Sequence, residues 1–229
     1  TDGNTIVPMI SAQDHKRIGD GDMGANTGGM GAYAPAPVIT KELDKIVYDT
    51  ILLPAVKAMK KEGCPFKGCL YAGLMITKDG PQVVEFNCRF GDPETEAILP
   101  LLESDLAKIM LACTKGTLKK ERVEWKNACA VDIVLASEGY PATHSSGEEI
   151  VGLEEAKKTG CLVFHAGSMK KKGRYFVNGG RVLNVAAVAP TLKEARDKAY
   201  EGVSKISWRG MQYRHDIADK GLTRLKKRK

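Results

Sequence analysis

The stretch Glu85-Phe86-Asn87-Cys88-Arg89 ends an apolar run that alternates like a β-strand. Successive side chains of a strand point to opposite faces, so Glu85 and Asn87 share one face and Phe86 lies on the other. Mg²⁺ is usually held by one or two protein oxygen ligands together with phosphates, so this face suits a metal ion. A solvated outer strand face has the same pattern, and the pair alone leaves both interpretations open. Arg89 follows with the same parity and adds a guanidinium suited to phosphate oxygens.

The strand that contains this stretch is predicted to belong to an antiparallel hairpin. Residues 70–77 form an apolar run, Lys78-Asp79-Gly80-Pro81 has the composition of a turn, and residues 82–87 form the second strand. The signature stretch therefore lies at the end of the hairpin opposite to its turn.

Helical periodicity and strand-like runs predict the remaining elements. Thr40 is a suitable N-cap for a helix that Gly63 would end, and Ser104 and Asp105 suit the start of a later helix. The predicted helices cover 40–62, 93–102, 104–113 and 191–206, and the predicted strands cover 5–10, 128–137, 162–165, 174–177 and 181–188. The change to a strand-rich pattern after Gly116 indicates that a second domain begins near there.

Residues 11–37 form a long segment that is rich in Gly, Asp and Asn and has no helical periodicity. Structureless connections beyond about 12–15 residues are usually functional or disordered, so this one is interpreted as a binding loop. Its glycines would expose backbone N–H groups that form an anion-binding concavity, and Lys16 and Arg17 would add positive charge. Simple turns are also rich in glycine, so Gly28-Gly29-Met30-Gly31 alone leaves both interpretations open.

The composition is that of an ordinary globular protein. Of the 229 residues, 43% are hydrophobic, enough for one sizeable core or two modest ones. The apolar runs are shorter than the roughly 20 residues needed to cross a bilayer, so no membrane partner is expected. The six cysteines include no Cys-x-x-Cys pair, which argues against zinc and a disulfide framework and favours a reducing, cytoplasmic location.

The formal charge is +7, and basic residues cluster at Met169-Lys170-Lys171-Lys172 and at Leu225-Lys226-Lys227-Arg228-Lys229. These clusters are interpreted as a solvated turn and a tail. Aromatic residues are not interleaved with them as a platform for stacked bases requires, so no nucleic acid is expected as a partner. A polyanionic small substrate explains the excess of basic residues equally well.

Longer stretches identify a family. Asn87-Cys88-Arg89-Phe90-Gly91-Asp92-Pro93-Glu94-Thr95 closely resembles the signature of glycinamide ribonucleotide synthetases, which are members of the ATP-grasp superfamily. Gln13-Asp14-His15-Lys16-Arg17 and Asn26-Thr27-Gly28-Gly29-Met30-Gly31-Ala32-Tyr33 resemble the other long motif of that family. The resemblance extends over essentially the whole chain through Leu70-Tyr71-Ala72-Gly73-Leu74-Met75, Phe164-His165-Ala166-Gly167 and Asn178-Gly179-Gly180-Arg181-Val182-Leu183.

The resemblance implies an α+β fold: the C-terminal half of an ATP-grasp domain over residues 1–119, followed by a smaller domain of antiparallel strands and helix over 120–229. It also implies an enzyme, an ATP-dependent carbon–nitrogen ligase of purine biosynthesis. Such a ligase joins glycine to 5-phosphoribosylamine through glycyl phosphate and releases ADP and phosphate. Its expected cofactors are ATP and Mg²⁺, with Mn²⁺ as the alternative metal. The alternatives are an ATP-grasp ligase or carboxylase with another substrate, and a non-catalytic module that binds through its basic surface.

The resemblance also assigns the site residues. Glu85 and Asn87 are expected to bind the metal, and Lys16 and Arg89 to contact the phosphates of ATP. The expected catalytic residues are Asp14, Lys16 and Arg89, with Asp14 holding or deprotonating the amine. Asp92 and Glu94 are expected to support the following helix or to orient Arg89. The expected substrate-binding residues are Asp14, His15, Arg17, Asn26, Thr27, Gly28, Gly29, Met30 and Gly31.

The first five residues contain no initiator Met, basic segment or apolar segment, so the chain is interpreted as a fragment. The resemblance calls for an upstream part with the adenine contacts, a phosphate-binding lysine and a Gly-rich phosphoribosylamine site. That missing N-terminal part of the same enzyme is the expected protein partner. The isolated chain is therefore expected neither to bind ATP tightly nor to turn over.

Overall fold

Residues 1–227 are described by the computed structural model; Arg228 and Lys229, part of the predicted basic tail, lie outside the described residues. In chain order the helices are α1 (Lys41–Val47), α2 (Leu53–Lys61), α3 (Glu94–Ile98), α4 (Leu106–Lys115), α5 (Leu153–Lys158), α6 (Leu192–Val203) and α7 (Asp219–Lys226). The strands are β1 (Gln13–Asp14), β2 (Arg17–Gly19), β3 (Met23–Asn26), β4 (Gly31–Ala34), β5 (Tyr71–Thr77), β6 (Gly80–Asn87), β7 (Cys129–Ala136), β8 (Ser146–Ile150), β9 (Leu162–His165), β10 (Ser168–Lys171), β11 (Arg174–Asn178) and β12 (Arg181–Ala189).

The described chain forms two units, and each combines separated segments. The first contains Thr1–Ile10, Pro37–Gly91 and Leu102–Lys126, and the second contains Ser11–Ala36, Asp92–Leu101 and the residues from Asn127 onward. The proposed domains, 1–119 and 120–229, stay a prediction. Residues 11–36 and 92–101, which precede that boundary in the sequence, pack with the C-terminal part of the chain.

Helices and one hairpin make up the first unit. α1 begins as predicted at Thr40, whose hydroxyl accepts a hydrogen bond from the Leu43 N–H at 3.1 Å. A π-helical turn over Tyr48–Leu52 joins α1 to α2, so the predicted helix is present but irregular. The Asp105 side chain caps α4 by accepting hydrogen bonds from two backbone N–H groups. β5 and β6 pair as the predicted antiparallel hairpin.

The second unit is built on a five-stranded antiparallel sheet in the order β1-β4-β7-β12-β9. β7 lies at its centre, and its Val131, Ile133 and Leu135 are fully buried. They share one hydrophobic core with residues of α6 that include Ala195 and Ala199. A smaller antiparallel sheet has the order β10-β11-β8. The α+β class is therefore confirmed.

α6 begins with a capping box. The Thr191 hydroxyl accepts a hydrogen bond from the Glu194 N–H, and the Glu194 carboxylate accepts one from the Thr191 N–H. The helix was predicted from its apolar periodicity, and the capping box fixes its observed start. No helix within residues 1–227 is long and apolar enough to cross a membrane.

The predictions fail at short or polar elements: β1–β4, which lie within the segment 11–37 that was interpreted as a loop, and the helices α5 and α7 were not predicted. The strand over 162–165 has its predicted bounds, whereas 5–10 contains no strand. β8 and β10 were not predicted, because Ser-Gly-Glu-Glu and Ser-Met-Lys-Lys lack the apolar alternation of a half-buried strand. The solvated turn predicted at Met169-Lys170-Lys171-Lys172 is therefore corrected: β10 runs to Lys171, and the left-handed turn is Lys172-Gly173.

Asp132 is a fully buried carboxylate at the centre of the five-stranded sheet. Its Oδ2 accepts a hydrogen bond from Asn184 Nδ2 at 2.9 Å, while its Oδ1 has no hydrogen-bond partner among the described residues. Burial raises the pKa of Asp132 well above its ordinary value, and the Glu96 carboxylate raises it further. An acid whose folded-state pKa is raised contributes stability below its unfolded-state pKa and loses that contribution as the pH rises.

We therefore expect Asp132→Asn to be more stable than the wild type near neutral pH, because an amide is neutral without binding a proton. The gain should be about 1–3 kcal/mol near neutral pH, the scale of one unsatisfied buried polar group, and it should vanish below about pH 4. Urea unfolding of both proteins across this pH range measures the difference. Asp197→Asn, at an exposed position of α6, is the control and should show no such gain. A gain that grows as the pH falls would contradict the expected sign.

Candidate functional site

The hairpin of the first unit carries the predicted metal pair on one face. Asn87 Nδ2 donates a hydrogen bond to Glu85 Oε1 at 3.0 Å, so the two side chains lie together as the strand alternation predicts. Gly73 is opposite Glu85, and a Cβ at Gly73 would come within 3.1 Å of the Glu85 Cγ. The bare glycine therefore leaves room for the carboxylate. The apolar residues of β6 are exposed, Val84 by 66% and Phe86 by 45%.

The donor set of this pair fits a partly hydrated Mg²⁺ rather than a metal enclosed by protein. Within residues 1–227, no group of three or more His, Cys, Asp or Glu side chains could hold a metal ion. One carboxylate and one amide match the usual Mg²⁺ arrangement, in which waters and phosphate oxygens supply the other ligands. Arg89, two residues beyond the pair, is exposed, and its Nη1 donates to the Phe90 carbonyl at 2.8 Å.

The carboxylate of Asp14 lies in the second unit, at the end of β1. Its side chain is 6% exposed, Oδ2 pairs with Lys16 Nζ at 2.6 Å, and Oδ1 accepts the His15 N–H at 2.6 Å. Burial raises the pKa of Asp14 to about 6; the Lys16 ammonium opposes this shift, and the Glu94 carboxylate adds to it. A carboxylate with such a pKa can exchange a proton close to neutral pH, which suits a general base.

His15 is buried and forms hydrogen bonds with the backbone of Gly31. Its backbone N–H lies 3.1 Å and its ring Nδ1 3.2 Å from the Gly31 carbonyl oxygen. Because a carbonyl oxygen only accepts, Nδ1 carries the proton of the neutral ring. Burial lowers the pKa of His15 to about 4, with a further contribution from the Arg214 charge, so the ring is neutral at physiological pH. A direct contact between His15 and substrate stays a prediction.

The backbone N–H groups of the glycine-rich loop are used within the second unit. Each of the four residues from Thr27 to Met30 donates to a protein acceptor. The bonds run from Thr27 to the Lys16 carbonyl (2.7 Å), from Gly28 to the Tyr140 hydroxyl (2.9 Å), from Gly29 to the Thr27 hydroxyl (2.9 Å) and from Met30 to the His15 carbonyl (2.9 Å). The N–H groups of Thr27 to Met30 are therefore not free to form the expected concavity, because protein acceptors already engage them.

Glycine at position 29 permits a close approach between the two sequence motifs. Gly29 has a φ of 124°, and a Cβ there would lie 2.3 Å from Pro93 Cδ and 2.8 Å from Asp14 Oδ1. No larger residue fits that space or that backbone conformation without displacement. Glu94, which follows Pro93, is only 4% exposed. Residues from two motifs that are far apart in the sequence thus meet around Asp14.

The buried Arg214 stabilises the hairpin of β2 and β3 through hydrogen bonds. Arg214 is fully buried, and its Nη1 lies 3.1 Å from the Arg17 carbonyl oxygen and 3.0 Å from Asp22 Oδ1. Its Nε and Nη2 each contact one carboxylate oxygen of Asp216 at 2.7 Å. Arg17 itself donates to the Gly24 carbonyl across the hairpin at 2.7 Å. Sequence reasoning missed Arg214 because it lies outside the recognised motifs and far from Asp22 along the chain.

Asp92 departs from its expected role. It was expected to support the helix after the signature or to orient Arg89. The structure pairs it instead with Arg181, whose Nη1 lies 2.9 Å from Asp92 Oδ1. Among the residues that the structure describes, no side chain forms a capping hydrogen bond at the start of α3. Sequence reasoning recognised the stretch that contains Arg181 but gave that residue no function, because its partners are not neighbours in the sequence.

The structure divides the predicted site residues between the two units. Glu85, Asn87 and Arg89 belong to the first, and all predicted site residues from Asp14 to Gly31 belong to the second. Within the second unit, the exposed residues are Lys16, Arg17, Asn26 and Gly28. Asp14 and Thr27, taken as whole residues, are half-buried. The buried residues are His15, Gly29, Met30 and Gly31. The substrate, metal and phosphate contacts of all these residues stay predictions.

Comparison with known proteins assigns both parts of the chain to one family. Residues 1–95 match the family described as phosphoribosylglycinamide synthetase, ATP-grasp (A) domain, and residues 130–220 match phosphoribosylglycinamide synthetase, C domain. The chain is 52% identical to the trifunctional purine biosynthetic protein adenosine-3 of Gallus gallus, over 98% of this chain and 22% of that protein. It is 50% identical to the chloroplastic phosphoribosylamine–glycine ligase of Arabidopsis thaliana, over 96% of this chain and 42% of that protein.

The fold is similar to the crystal structure of phosphoribosylamine–glycine ligase from Thermotoga maritima. The TM-score is 0.82 at 40% identity, and the match covers 94% of this chain and 53% of that chain. The chain spans about half or less of the length of these relatives. The two family matches together cover most of the chain and include both motif regions recognised from the sequence. The chain therefore belongs to the phosphoribosylglycinamide synthetase family.

Proposed function

We propose that this chain forms part of an ATP-dependent ligase that joins glycine to 5-phosphoribosylamine, giving glycinamide ribonucleotide, ADP and phosphate through glycyl phosphate. The observation that carries the proposal is the meeting of the two family motifs around Asp14, a shielded carboxylate with a pKa of about 6. The identity to named phosphoribosylamine–glycine ligases over nearly the whole chain supports the same reaction. Because the chain spans only part of their length, the activity is proposed for a longer protein that contains it.

The role proposed for the first unit concerns ATP. Glu85 and Asn87 would hold Mg²⁺, with Mn²⁺ as the alternative, through a carboxylate and an amide oxygen. The metal, when bound, neutralises phosphate charge during phosphoryl transfer. Arg89 would place its planar guanidinium against phosphate oxygens, where a fork of N–H donors matches two oxygens at once. In the second unit, Lys16 is likewise assigned to phosphate oxygens.

The role proposed for Asp14 concerns the amine. Asp14 would hold or deprotonate the amine of 5-phosphoribosylamine as it attacks the glycyl carbonyl. A base with a pKa of about 6 is ionised at physiological pH and still accepts a proton readily. Lys16, 2.6 Å away, would orient this carboxylate and balance its charge. The remaining proposed substrate-binding residues are His15, Arg17, Asn26, Thr27, Gly28, Gly29, Met30 and Gly31, whose buried members would act by holding the backbone of the loop.

The proposed partners are ATP, glycine, 5-phosphoribosylamine and the remainder of the longer enzyme. All six cysteines are free thiols, which supports a reducing, cytoplasmic location. Neither a nucleic acid nor a membrane belongs to the proposal.

Substrate-dependent ADP release tests the function as a whole. A longer protein that contains this chain should release ADP from ATP only when glycine and 5-phosphoribosylamine are both present. The 229-residue chain alone should neither bind ATP tightly nor release ADP. Bicarbonate in place of glycine tests for a carboxylase and should not support ADP release. ADP release with bicarbonate but not with glycine would refute the ligase, and robust turnover by the isolated chain would refute its dependence on further residues.

The pH dependence of the reaction tests Asp14. Because the base must be ionised, kcat/KM for 5-phosphoribosylamine should rise with pH up to about 6 and then level off. Asp14→Asn should lose the acid limb and about 100-fold or more of kcat/KM, the scale of a lost general base. Asp79→Asn, in the exposed turn between β5 and β6, is the control and should behave as the wild type. An Asp14→Asn enzyme with an undiminished ligation rate would exclude this role.

The metal dependence of the reaction tests Glu85. Glu85→Gln keeps the shape of the side chain and removes its charge, so it should raise the Mg²⁺ concentration for half-maximal ADP release by about tenfold or more. Titration of Mg²⁺ at saturating ATP measures this concentration. Glu62→Gln, an exposed glutamate after α2, is the matched control. An unchanged Mg²⁺ requirement in Glu85→Gln would remove Glu85 from the metal site.

A further inference from the structure

Gly28 of the glycine-rich loop is held on both sides by residues outside the assigned site. Its N–H donates to the Tyr140 hydroxyl at 2.9 Å, and its carbonyl accepts a hydrogen bond from Arg181 Nη1 at 3.2 Å. Tyr140 lies between β7 and β8, and Arg181 is the first residue of β12. Both polar groups of Gly28 are thus tied to the C-terminal part of the second unit.

The guanidinium of Arg181 joins two further pieces of chain. Its Nη1 lies 2.9 Å from Asp92 Oδ1 and 3.0 Å from the Asp92 carbonyl oxygen, and it lies 3.5 Å from the Gly29 carbonyl oxygen. The Arg181 side chain is only 22% exposed, so these contacts are partly shielded from water. Arg181 therefore sets the separation between the glycine-rich loop and the turn at Asp92.

Two glycines make room for these contacts. A Cβ at Gly28 would lie 3.0 Å from the Arg181 Cζ, so the guanidinium packs directly on the Gly28 backbone. A Cβ at Gly180 would lie 2.4 Å from Tyr140 Cδ2, so the bare backbone at Gly180 admits the tyrosine ring. Lysine could not replace Arg181 fully, because an ammonium is a point charge and lacks the planar fork of donors. The contact therefore depends on the residue types at all four positions.

We propose that Arg181 and Tyr140 are positioning residues that hold the Gly28-Gly29 segment in place for the amine substrate. This rests on the proposed function, in which that segment contacts 5-phosphoribosylamine. Gly29 packs against Asp14 and Pro93, so a shift of the segment also changes the wall beside Asp14. Loss of either positioning residue removes one hydrogen-bond partner of Gly28. All residues that are proposed to contact the substrate remain in the chain. A displacement of about 1 Å can cost on the order of 100-fold in rate.

Hydrogen exchange and steady-state kinetics of the full-length protein test the proposal. Arg181→Met removes the donors, Arg181→Lys keeps only the charge, and Tyr140→Phe removes only the hydroxyl. We expect amide exchange within residues 26–30 to rise by about tenfold or more in Arg181→Met and Tyr140→Phe, and by less in Arg181→Lys. In the same variants kcat/KM for 5-phosphoribosylamine should fall by about 10- to 100-fold, while the KM for ATP stays within about twofold of the wild type.

Arg174→Met is the matched control, because Arg174 is an exposed arginine of the smaller sheet that pairs with Glu149 at 2.9 Å. It should leave both measurements unchanged. Wild-type exchange in Arg181→Met and Tyr140→Phe overturns the proposal, and so does faster exchange with unaltered kcat/KM for the amine. A parallel rise in the KM for ATP also overturns it, because it indicates a general loss of structure. If Arg181→Met does not fold, amide exchange and kcat/KM for 5-phosphoribosylamine in Tyr140→Phe and Arg181→Lys test the proposal.

Ligase activity of the wild-type protein is measured first, so that a failure of the proposed function can be distinguished from a failure of the positioning role. Its absence overturns the proposed function and with it the substrate assigned to the Gly28-Gly29 segment. Wild-type activity that these variants do not change overturns only the positioning role of Arg181 and Tyr140.

Discussion

The pairing of β4 with the central strand β7 is the constraint on which the site of the second unit depends. Gly31 lies opposite Ile133, and a Cβ at Gly31 would lie 2.6 Å from the Asp132 carbonyl oxygen, so only a bare backbone allows this approach. β1 pairs in turn with β4, which places Asp14 opposite Ala32. Two parts of the segment that carries the motif, β1 and β4, are therefore strands of the central sheet, whereas β2 and β3 between them form a separate hairpin. Strand pairing therefore sets the position of Asp14.

Three buried or half-buried charges in this unit illustrate different electrostatic outcomes. Arg214 is surrounded by two carboxylates and a carbonyl, so its burial is compensated by charge-assisted hydrogen bonds. Asp14 has one ammonium partner, which offsets only part of the desolvation and leaves its pKa near the range used in proton transfer. Asp132 has one amide partner and lies near other carboxylates, so its ionisation is opposed. The number and sign of the partners set how far the cost of burial is offset at each of the three residues.

Local sequence signals predicted most of the longer helices and strands. The caps at Thr40 and Asp105, and the alternation along residues 82–87, depend on neighbours within a few residues, so they were predicted directly from the sequence. The family resemblance supplied what local signals do not, namely the expectation that two distant motifs serve one reaction. It did not show how they meet, since the close approach of Gly29 to Pro93 is a tertiary contact. The engagement of the Gly28 N–H was missed for the same reason, because its acceptor is Tyr140, which is far away along the chain.

The contact between Gly28 and Arg181 also limits how the sequence can change over evolution. A side chain at position 28 would meet the guanidinium, and a smaller residue at position 181 would leave the Gly28 carbonyl and Asp92 without their shared cation. A change at either position is therefore expected to weaken this contact. Among distant members of the family, the two residues are expected to be retained together or replaced together. Substitutions in the glycine-rich motif are therefore expected to depend on the first residue of β12, more than a hundred residues later in the chain.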